Sequence, residues 1–166
     1  MSKLIVIRGP SGSGKSTVAK RLHSELQNPS LLLSEDEIRF KFSDWKQPDH
    51  KACKELAVVS ILSGLESGFD VIYEGISNVK TYDEYFQKVF ANHPHDNHFF
   101  YLDVGFPETV RRHETRPQKT EFTVNEMKRW RAYASPTDYV GEIIIKEDST
   151  LDQTVDRILQ VAKYVY

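Results

Sequence analysis

The sequence predicts an α/β three-layer sandwich in which a five-stranded parallel sheet lies between two layers of helices. Short, solidly apolar runs alternate with amphipathic helical patterns, and solid runs are typical of parallel strands that are buried on both faces. The length of 166 residues suits one domain, predicted as 1–166. A helical, charged stretch at 107–136 breaks the alternation and predicts a short helical lid inserted over the sheet edge.

The first strand and the first helix flank a glycine-rich loop. Leu4–Ile7 is an aliphatic run bounded by Gly9. From Lys15 onward, one apolar stripe recurs every four residues through Val18, Leu22 and Leu26. These patterns predict a buried strand followed by a helix.

The next elements repeat this alternation. Leu31–Leu33 predicts a second buried strand, and the Ser-Glu-Asp-Glu run at 34–37 matches a capping box that opens a helix. A longer helix is predicted from about Pro48 to a left-handed cap at Gly68. Its predicted buried face consists of Ala52, Leu56, Val59 and Leu62.

Three further strands and two helices complete the predicted sandwich. The third and fourth strands are predicted at Val71–Tyr73 and Phe99–Val104, with a helix at Tyr82–Phe90 between them. Glu142–Ile145 leads into the fifth strand. The capping-box pattern of Thr150 and Gln153 opens the last helix, with a predicted buried face of Leu151, Val155, Ile158 and Ala162.

Charge and cysteine content exclude several classes of protein. With 22 Lys and Arg against 24 Asp and Glu, the net charge of −2 argues against a surface that binds nucleic acid or an anionic membrane throughout. The single cysteine, Cys53, excludes an internal disulfide and a thiolate zinc cluster. No apolar run approaches the length of a membrane span, so we expect a cytoplasmic protein with no membrane partner.

Residues 9–16, Gly-Pro-Ser-Gly-Ser-Gly-Lys-Ser, fit the phosphate-binding loop G-x-x-x-x-G-K-[ST] between a strand and a helix. Glycines allow successive N–H groups to point at an anion, and the helix N-terminus adds its positive dipole end. Lys15 can reach the β- and γ-phosphates, and the Ser16 hydroxyl can bind Mg²⁺. The predicted nucleotide contacts are Gly9, Ser11, Gly12, Ser13, Gly14, Lys15, Ser16 and Thr17.

Other nucleotide-binding classes fit less well. GTPases need a base-selecting Asn-Lys-x-Asp run, which the chain lacks. Motor and transporter ATPases are usually larger domains. The loop alone does not separate a kinase from these classes, but this chain is shorter and carries a charged insertion instead.

At this point the chain resembles the small P-loop kinases of the adenylate-kinase-like superfamily, particularly the branch with polynucleotide 5′-kinases, zeta-toxin-type kinases and small-molecule phosphotransferases. The resemblance rests on the loop, on Asp-Glu-Ile-Arg at 36–39, on Val-Ile-Tyr-Glu-Gly at 71–75, and on Leu-Asp-Val at 102–104 followed by Arg112-x-x-x-Arg116. It implies a nucleoside-kinase-like P-loop fold, an ATP·Mg²⁺ donor, an acceptor site near Asp36 and Arg39, and a lid bearing both arginines.

The residues themselves support the same assignments. Asp36 follows the carboxyl end of a strand, where ligands bind in open parallel sheets, and could accept the proton of an acceptor hydroxyl. Alternatively, Asp36 only begins the next helix, where its negative charge complements the helix dipole. Arg39, three residues later, could hold a substrate group or be a solvated arginine.

Two carboxylates end later strands. Glu74 is a candidate for organising Mg²⁺ or contacting the acceptor. Many of the kinases that this chain resembles carry Asp at the position of Glu74. Asp103 is a second carboxylate at a strand end, and we expect it to have a structural or hydrogen-bonding role. Which of the two organises Mg²⁺ stays open.

Arg112 and Arg116 share one predicted helix face, and one could stack on adenine while the other neutralises the transferred phosphoryl group. The alternative is a solvated basic face, which Glu108 would favour. The charge supports a lid, because residues 108–131 hold seven Lys or Arg against four Glu. At most one of Arg129 and Arg131 is expected to face the γ-phosphate.

Two constellations are not assigned as sites. The first is a group of possible metal ligands, His93, His95, Asp96 and His98, whose spacing would not bring the side chains together around one metal ion. Three aromatic residues after Arg39 suit an acceptor pocket and a core equally well: Phe40, Phe42 and Trp45.

The first functional hypothesis is therefore a kinase for the hydroxyl of a small molecule. A polynucleotide 5′-hydroxyl kinase is the alternative, because an end-binding enzyme needs few phosphate contacts. A nucleotide-binding module that hydrolyses slowly or not at all is the third.

Overall fold

Five parallel strands form one sheet in the computed structural model, which describes residues 2–42, 50–115, 120, 122–136 and 141–164. The strands are β1 (Leu4–Arg8), β2 (Ser30–Ser34), β3 (Asp70–Gly75), β4 (Asn97–Asp103) and β5 (Ile143–Lys146). The sheet order is β2-β3-β1-β4-β5, and every neighbouring pair is parallel. The predicted five-stranded parallel sheet is confirmed.

Helices cover both faces of this sheet. They are α1 (Lys15–Glu25), α2 (Glu35–Phe42), α3 (His50–Glu66), α4 (Val79–Asn92), α5 (Phe106–Glu114), α6 (Val124–Arg131) and α7 (Leu151–Val161). Within the described ranges, none of them is long and apolar enough to cross a membrane. The two helices α5 and α6 fall in the stretch predicted as a lid and are called the lid below.

Alternation along the strands builds two cores. On β1, Leu4 and Val6 pack with α3 and α4, whereas Ile5 and Ile7 pack with α1 and α7. All four side chains are fully buried. Burial on both faces is why this strand is a solid apolar run rather than an alternating one.

The chain order places several strand ends at one edge of the sheet. β1 lies at the centre of the sheet, with β2 and β3 on one side of it and β4 and β5 on the other. Ligands bind at such switch points, outside the carboxyl ends of the strands. The loop after β1, the start of α2 and the end of β3 all lie at this edge.

The predicted buried face of α3 is wrong in part. Leu56 and Val59 are 39% and 63% exposed, and Ala52 is also exposed. The buried positions include Cys53, Ala57, Val58, Ile61, Gly64 and Leu65. The helix carries apolar residues on several faces, and close packing selects the face with glycine, since a Cβ at Gly64 would lie 2.7 Å from the Leu31 side chain.

Of the other local predictions, some are confirmed and some are wrong. The capping box of Thr150 and Gln153 and the left-handed Gly68, at φ +85°, are confirmed. Leu151, predicted as buried, is 37% exposed because it lies in the first turn, ahead of the buried stripe of α7. β2 is half-buried because it is an edge strand. The predicted start of α3 at Pro48 lies outside the described residues.

Candidate active site

The phosphate-binding loop needs its glycines for two physical reasons. Gly12 and Gly14 have φ values of +85° and +100°, which side chains with a Cβ rarely adopt. Gly12 also has no space for a side chain, because a Cβ there would lie 2.8 Å from the Thr109 carbonyl oxygen and 3.1 Å from Met127 Cε. The loop is therefore held closely against both helices of the lid.

The loop ends at a helix N-terminus that is free to bind an anion. Gly14 is the N-cap of α1, no side chain caps the helix, and its first turn contains no acidic residue. Lys15 is buried, with Nζ donating to the Pro10 carbonyl at 3.1 Å. The buried Ser13 hydroxyl has no hydrogen-bond partner among the described residues. These groups fit a phosphate chain, with the predicted contacts Ser11 half-buried and Thr17 exposed beside them.

One buried carboxylate joins the loop to β2. Glu74 Oε1 accepts hydrogen bonds from Ser16 Oγ at 3.0 Å and from Ser34 Oγ at 2.7 Å. Burial raises the pKa of Glu74, while the charge of Lys15 works in the opposite direction. A hydroxyl and a carboxylate are oxygen ligands of the type that Mg²⁺ prefers, so Ser16 and Glu74 fit the predicted metal site.

Asp36 lies at the carboxyl edge of the sheet with a solvent-exposed carboxylate, 67% of its side chain being accessible. Ser34 rather than Asp36 caps α2, although the hydrogen bond from the Glu37 amide to Ser34 Oγ is long, at 3.4 Å. Asp36 is close enough to Glu74 for its charge to raise that pKa. Its carboxylate is therefore accessible to a ligand beside the predicted metal site.

Arg39 points from α2 toward a small group of buried side chains. Its Nη1 lies 4.0 Å from the Asp36 carboxylate, and its buried Nε has no hydrogen-bond partner among the described residues. Beside it is a narrow gap with no room for a water molecule. The lining residues are Glu35, Ile38, Arg39, Cys53, Ala57, Tyr73 and Tyr82.

Glu35 is a buried functional candidate that sequence reasoning missed. Its Oε2 accepts hydrogen bonds from the Ser77 amide at 2.9 Å and the Ser77 hydroxyl at 2.8 Å. A Cβ at Gly75 would collide with the Glu35 carboxylate. The signal was the glycine after Glu74, but in sequence Glu35 is indistinguishable from an ordinary helix-starting acid.

Tyr73 lies beside Glu35 and was also missed. Its buried hydroxyl makes no hydrogen bond of good geometry within the described part of the chain, although the side chains of Tyr82 and Ser77 lie near enough to interact with it. Burial, and after it the charge of Glu35, raises the pKa of Tyr73 well above its usual range. The phenol therefore stays neutral beside Glu35.

Arg112 connects the lid to the phosphate-binding loop. Its Nη1 donates to the Ser13 carbonyl at 3.0 Å, and its Nε donates to Glu108 at 2.6 Å. The ion pair with Glu108 is the one expected for a solvated face, but the contact with the loop is not. Arg112 thus lies at the predicted nucleotide site, and Arg116 lies outside the described residues.

The remaining candidates lie away from the loop or are paired elsewhere. Asp103 accepts a hydrogen bond from Lys146 of β5 at 2.6 Å, and Arg131 donates to the Val104 carbonyl at 3.0 Å. Arg129 is exposed beside Glu126. His93 and His98 are at the opposite, amino edge of the sheet, near the start of β4.

Of the aromatic candidates, Phe40 is 52% exposed and so does not belong to the core. The Arg39 guanidinium lies 5.5 Å from the centre of its ring. The Phe42 side chain and Trp45 lie outside the described residues.

Several solved structures with the same fold are described as kinases. A sugar kinase from Janibacter sp. superposes with a TM-score of 0.75 at 16% identity, covering 96% of this chain and 94% of that one. A gluconokinase from Sinorhizobium meliloti gives a TM-score of 0.72 at 18% identity, covering 98% and 92%. The APS kinase of Mycobacterium tuberculosis, solved with AMPPNP and APS, gives 0.72 at 18% identity, covering 98% of each chain.

Sequence comparison gives a family but no individual relative. No curated protein matches the chain significantly. The family model AAA_33, described as an AAA domain, matches residues 4–145, which include the sheet, the phosphate-binding loop and the lid. The chain therefore belongs to the AAA_33 family and has the fold of the small P-loop kinases.

Proposed function

We propose that this protein is an ATP-dependent phosphotransferase that moves the γ-phosphoryl group of ATP to a hydroxyl group of a small molecule. One observation carries the proposal: Glu74 binds both Ser16 of the phosphate-binding loop and Ser34 at the end of β2. The donor side and the acceptor side thus meet at one buried carboxylate. Phosphoryl transfer requires the donor phosphate and the acceptor hydroxyl to be held next to each other, and this carboxylate lies between their two proposed sites.

On the donor side, the loop amides and Lys15 bind the phosphates of ATP. Ser16 and Glu74 would hold Mg²⁺, which would neutralise charge on the phosphate oxygens. Arg112, already in contact with the loop at the Ser13 carbonyl, stabilises the charge that develops during transfer or packs on the base. Arg116 is proposed as its partner on the resemblance alone.

On the acceptor side, Asp36 takes the proton of the acceptor hydroxyl as its oxygen bonds to the γ-phosphorus and the bond to the ADP oxygen breaks. Arg39 holds a second polar group of the acceptor. A small molecule is favoured over a polynucleotide because the first turn of α2 presents the exposed carboxylates of Asp36 and Glu37, which repel a phosphodiester chain. The protein is proposed to be a cytoplasmic enzyme.

A transfer screen tests this assignment. Wild-type protein is incubated with γ-³²P-ATP, Mg²⁺ and a panel of nucleosides, sugars, aminoglycosides and 5′-hydroxyl oligonucleotides. Label on a small molecule supports the proposal. Label on oligonucleotides alone establishes the polynucleotide kinase instead, and ATP binding without transfer to any acceptor indicates the non-catalytic module.

The role of Asp36 has a separate prediction. Asp36→Asn should keep ATP affinity but lower the transfer rate about 10²-fold, because the amide cannot take the proton. Glu37→Gln, which removes the neighbouring exposed charge, is the matched control and should retain the rate. Equal losses of ATP affinity and rate in Asp36→Asn would show that Asp36 has a folding role.

A further inference from the structure

Arg8 is a buried arginine at the end of β1, immediately before the phosphate-binding loop, and only 1% of it is exposed. Its Nε donates to the Ser77 carbonyl at 3.0 Å, its Nη1 to Glu142 Oε1 at 2.5 Å and its Nη2 to the Ser135 carbonyl at 3.2 Å. The three partners belong to three different places in the chain. An apolar side chain could fill such a position as stably, so the buried charge calls for a role beyond packing.

Ser77, the first partner, has an unusual backbone conformation. It is fully buried and has a φ of +42°, in the left-handed region that residues with a side chain rarely adopt. Such a conformation persists where neighbours over-determine it. Here Arg8 binds its carbonyl, while Glu35 accepts from its amide and its hydroxyl.

The contact with Ser77 leads from Arg8 to the acceptor side. Glu35 is the first residue of α2, and its buried carboxylate attaches that helix to Ser77. Asp36 is the next residue of the helix. Arg8, Ser77 and Glu35 therefore determine where the Asp36 backbone stands relative to the phosphate-binding loop.

The other two contacts of Arg8 lead to the chain that returns from the lid. Ser135 follows α6, and the side chain of Glu142, just before β5, is fully buried against Arg8. Beside them, the Tyr101 hydroxyl donates to the Ala134 carbonyl at 3.1 Å. One guanidinium thus joins the acceptor-side loop to the segment that ends the lid.

We propose that Arg8 is a positioning residue for phosphoryl transfer: through Ser77 and Glu35 it fixes Asp36 relative to the phosphate-binding loop and to the segment returning from the lid. This role rests on the proposed function, since it needs Asp36 to face an acceptor. Arg8 itself touches neither substrate. It acts through geometry, and displacement of a reacting group by about 1 Å can lower a rate about 10²-fold.

Two variants test the role in the full-length protein. Arg8→Lys keeps the charge but cannot bind three partners, and the pair Arg8→Met with Glu142→Gln removes both buried charges together, so that neither is left unpaired. Arg21→Met, which removes an exposed arginine of α1, is the control. If the paired variant fails to fold, Arg8→Lys carries the test.

Amide hydrogen exchange is the first measurement and needs no acceptor. In the Arg8 variants, exchange should rise about tenfold or more at the amides of Ser77 and of the first turn of α2, while residues 9–16 keep wild-type protection. The dissociation constant of ATP·Mg²⁺ should stay within about twofold of wild type. Unchanged exchange at Ser77 would overturn the proposal.

Kinetics with the acceptor found in the transfer screen is the second measurement. The kcat should fall about 10²-fold in Arg8→Lys with ATP affinity retained. In the double variant Arg8→Lys/Glu35→Gln, the loss of kcat, expressed as free energy, should be smaller than the sum of the losses in the two single variants. Loss of ATP affinity in proportion to kcat would show a merely structural role. Absence of transfer by wild type sinks the proposed function itself, whereas wild-type transfer with an unaltered kcat in the variants overturns the role of Arg8 alone.

Discussion

The proposed donor side and the proposed acceptor side are built differently, although they share the carboxyl edge of one sheet. The donor side is one continuous loop whose backbone packs closely on Thr109 and Met127 of the lid. The acceptor side is assembled from α2, α3, β3 and the start of α4, which enclose a narrow gap with no room for a water molecule. Buried Arg39 Nε has no hydrogen-bond partner among the described residues, and the Tyr73 hydroxyl has none of good geometry.

The difference separates general from specific chemistry. A phosphate chain is the same in every ATP molecule, so a short loop of fixed conformation suffices to bind it. An acceptor differs from enzyme to enzyme, and unpartnered polar groups discriminate strongly because they lose most when a ligand fails to pair with them. Variants on the donor side should therefore abolish ATP binding, whereas those on the acceptor side should spare it.

The largest effect is expected on the donor side. Lys15→Ala should abolish the thermal shift given by ATP·Mg²⁺ and lower phosphoryl transfer by about 10²–10³-fold, because the cation beside the phosphates is lost. Lys20→Ala, an exposed lysine of the same helix, is the control. An unchanged thermal shift in Lys15→Ala would contradict the assignment of the nucleotide site.

Glu74 lies between the two sides, because it accepts hydrogen bonds from Ser16 and from Ser34. Glu74→Gln should lower transfer about 10–100-fold by weakening the Mg²⁺ site. The free energy of unfolding of the unliganded protein should hold or rise, by about 1 kcal/mol, because burial penalises the charged carboxylate, as its raised pKa indicates. Chemical denaturation and transfer assays measure both, and a large loss of stability would mean that Glu74 is chiefly structural.

On the acceptor side, Tyr73→Phe should raise the KM of the acceptor about tenfold and leave ATP affinity unchanged. The free energy of unfolding of the unliganded variant should change by less than about 1 kcal/mol, since this hydroxyl has no hydrogen bond of good geometry to lose. Tyr101→Phe is the matched control and should lose stability, because that hydroxyl binds the Ala134 carbonyl. If both substitutions destabilise equally, the Tyr73 hydroxyl has a structural partner.

The smallest effect concerns pH at the lid. Hydrogen bonds from Arg111 and then Arg112 lower the pKa of Glu108 to about 2. A depressed pKa means that the stabilising contribution is present above the ordinary pKa of a glutamate and is lost as pH falls through about 2. The small difference in Tm between wild type and Glu108→Gln should be constant from about pH 7 to 5 and disappear toward pH 2; an inflection near neutral pH would exclude this pairing.

The local parts of the molecule were predictable from the sequence. The phosphate-binding loop follows from glycines beside a helix N-terminus, and the capping box at Thr150 joins residues three positions apart. The alternation of solid apolar runs and helical patterns gave the five parallel strands. Each of these depends on neighbours within a few residues, so the order of side chains contains the necessary information.

What only the tertiary structure decided depends on distant contacts. The buried face of α3 is selected by close approach to the sheet at Gly64, and the burial of Glu35 requires the missing Cβ of Gly75. Arg8, which in sequence merely ends an apolar run, meets Glu142 at a separation of 134 positions. A charged residue is exposed by default because desolvation is costly, and only the fold determines where a distant partner offsets that cost.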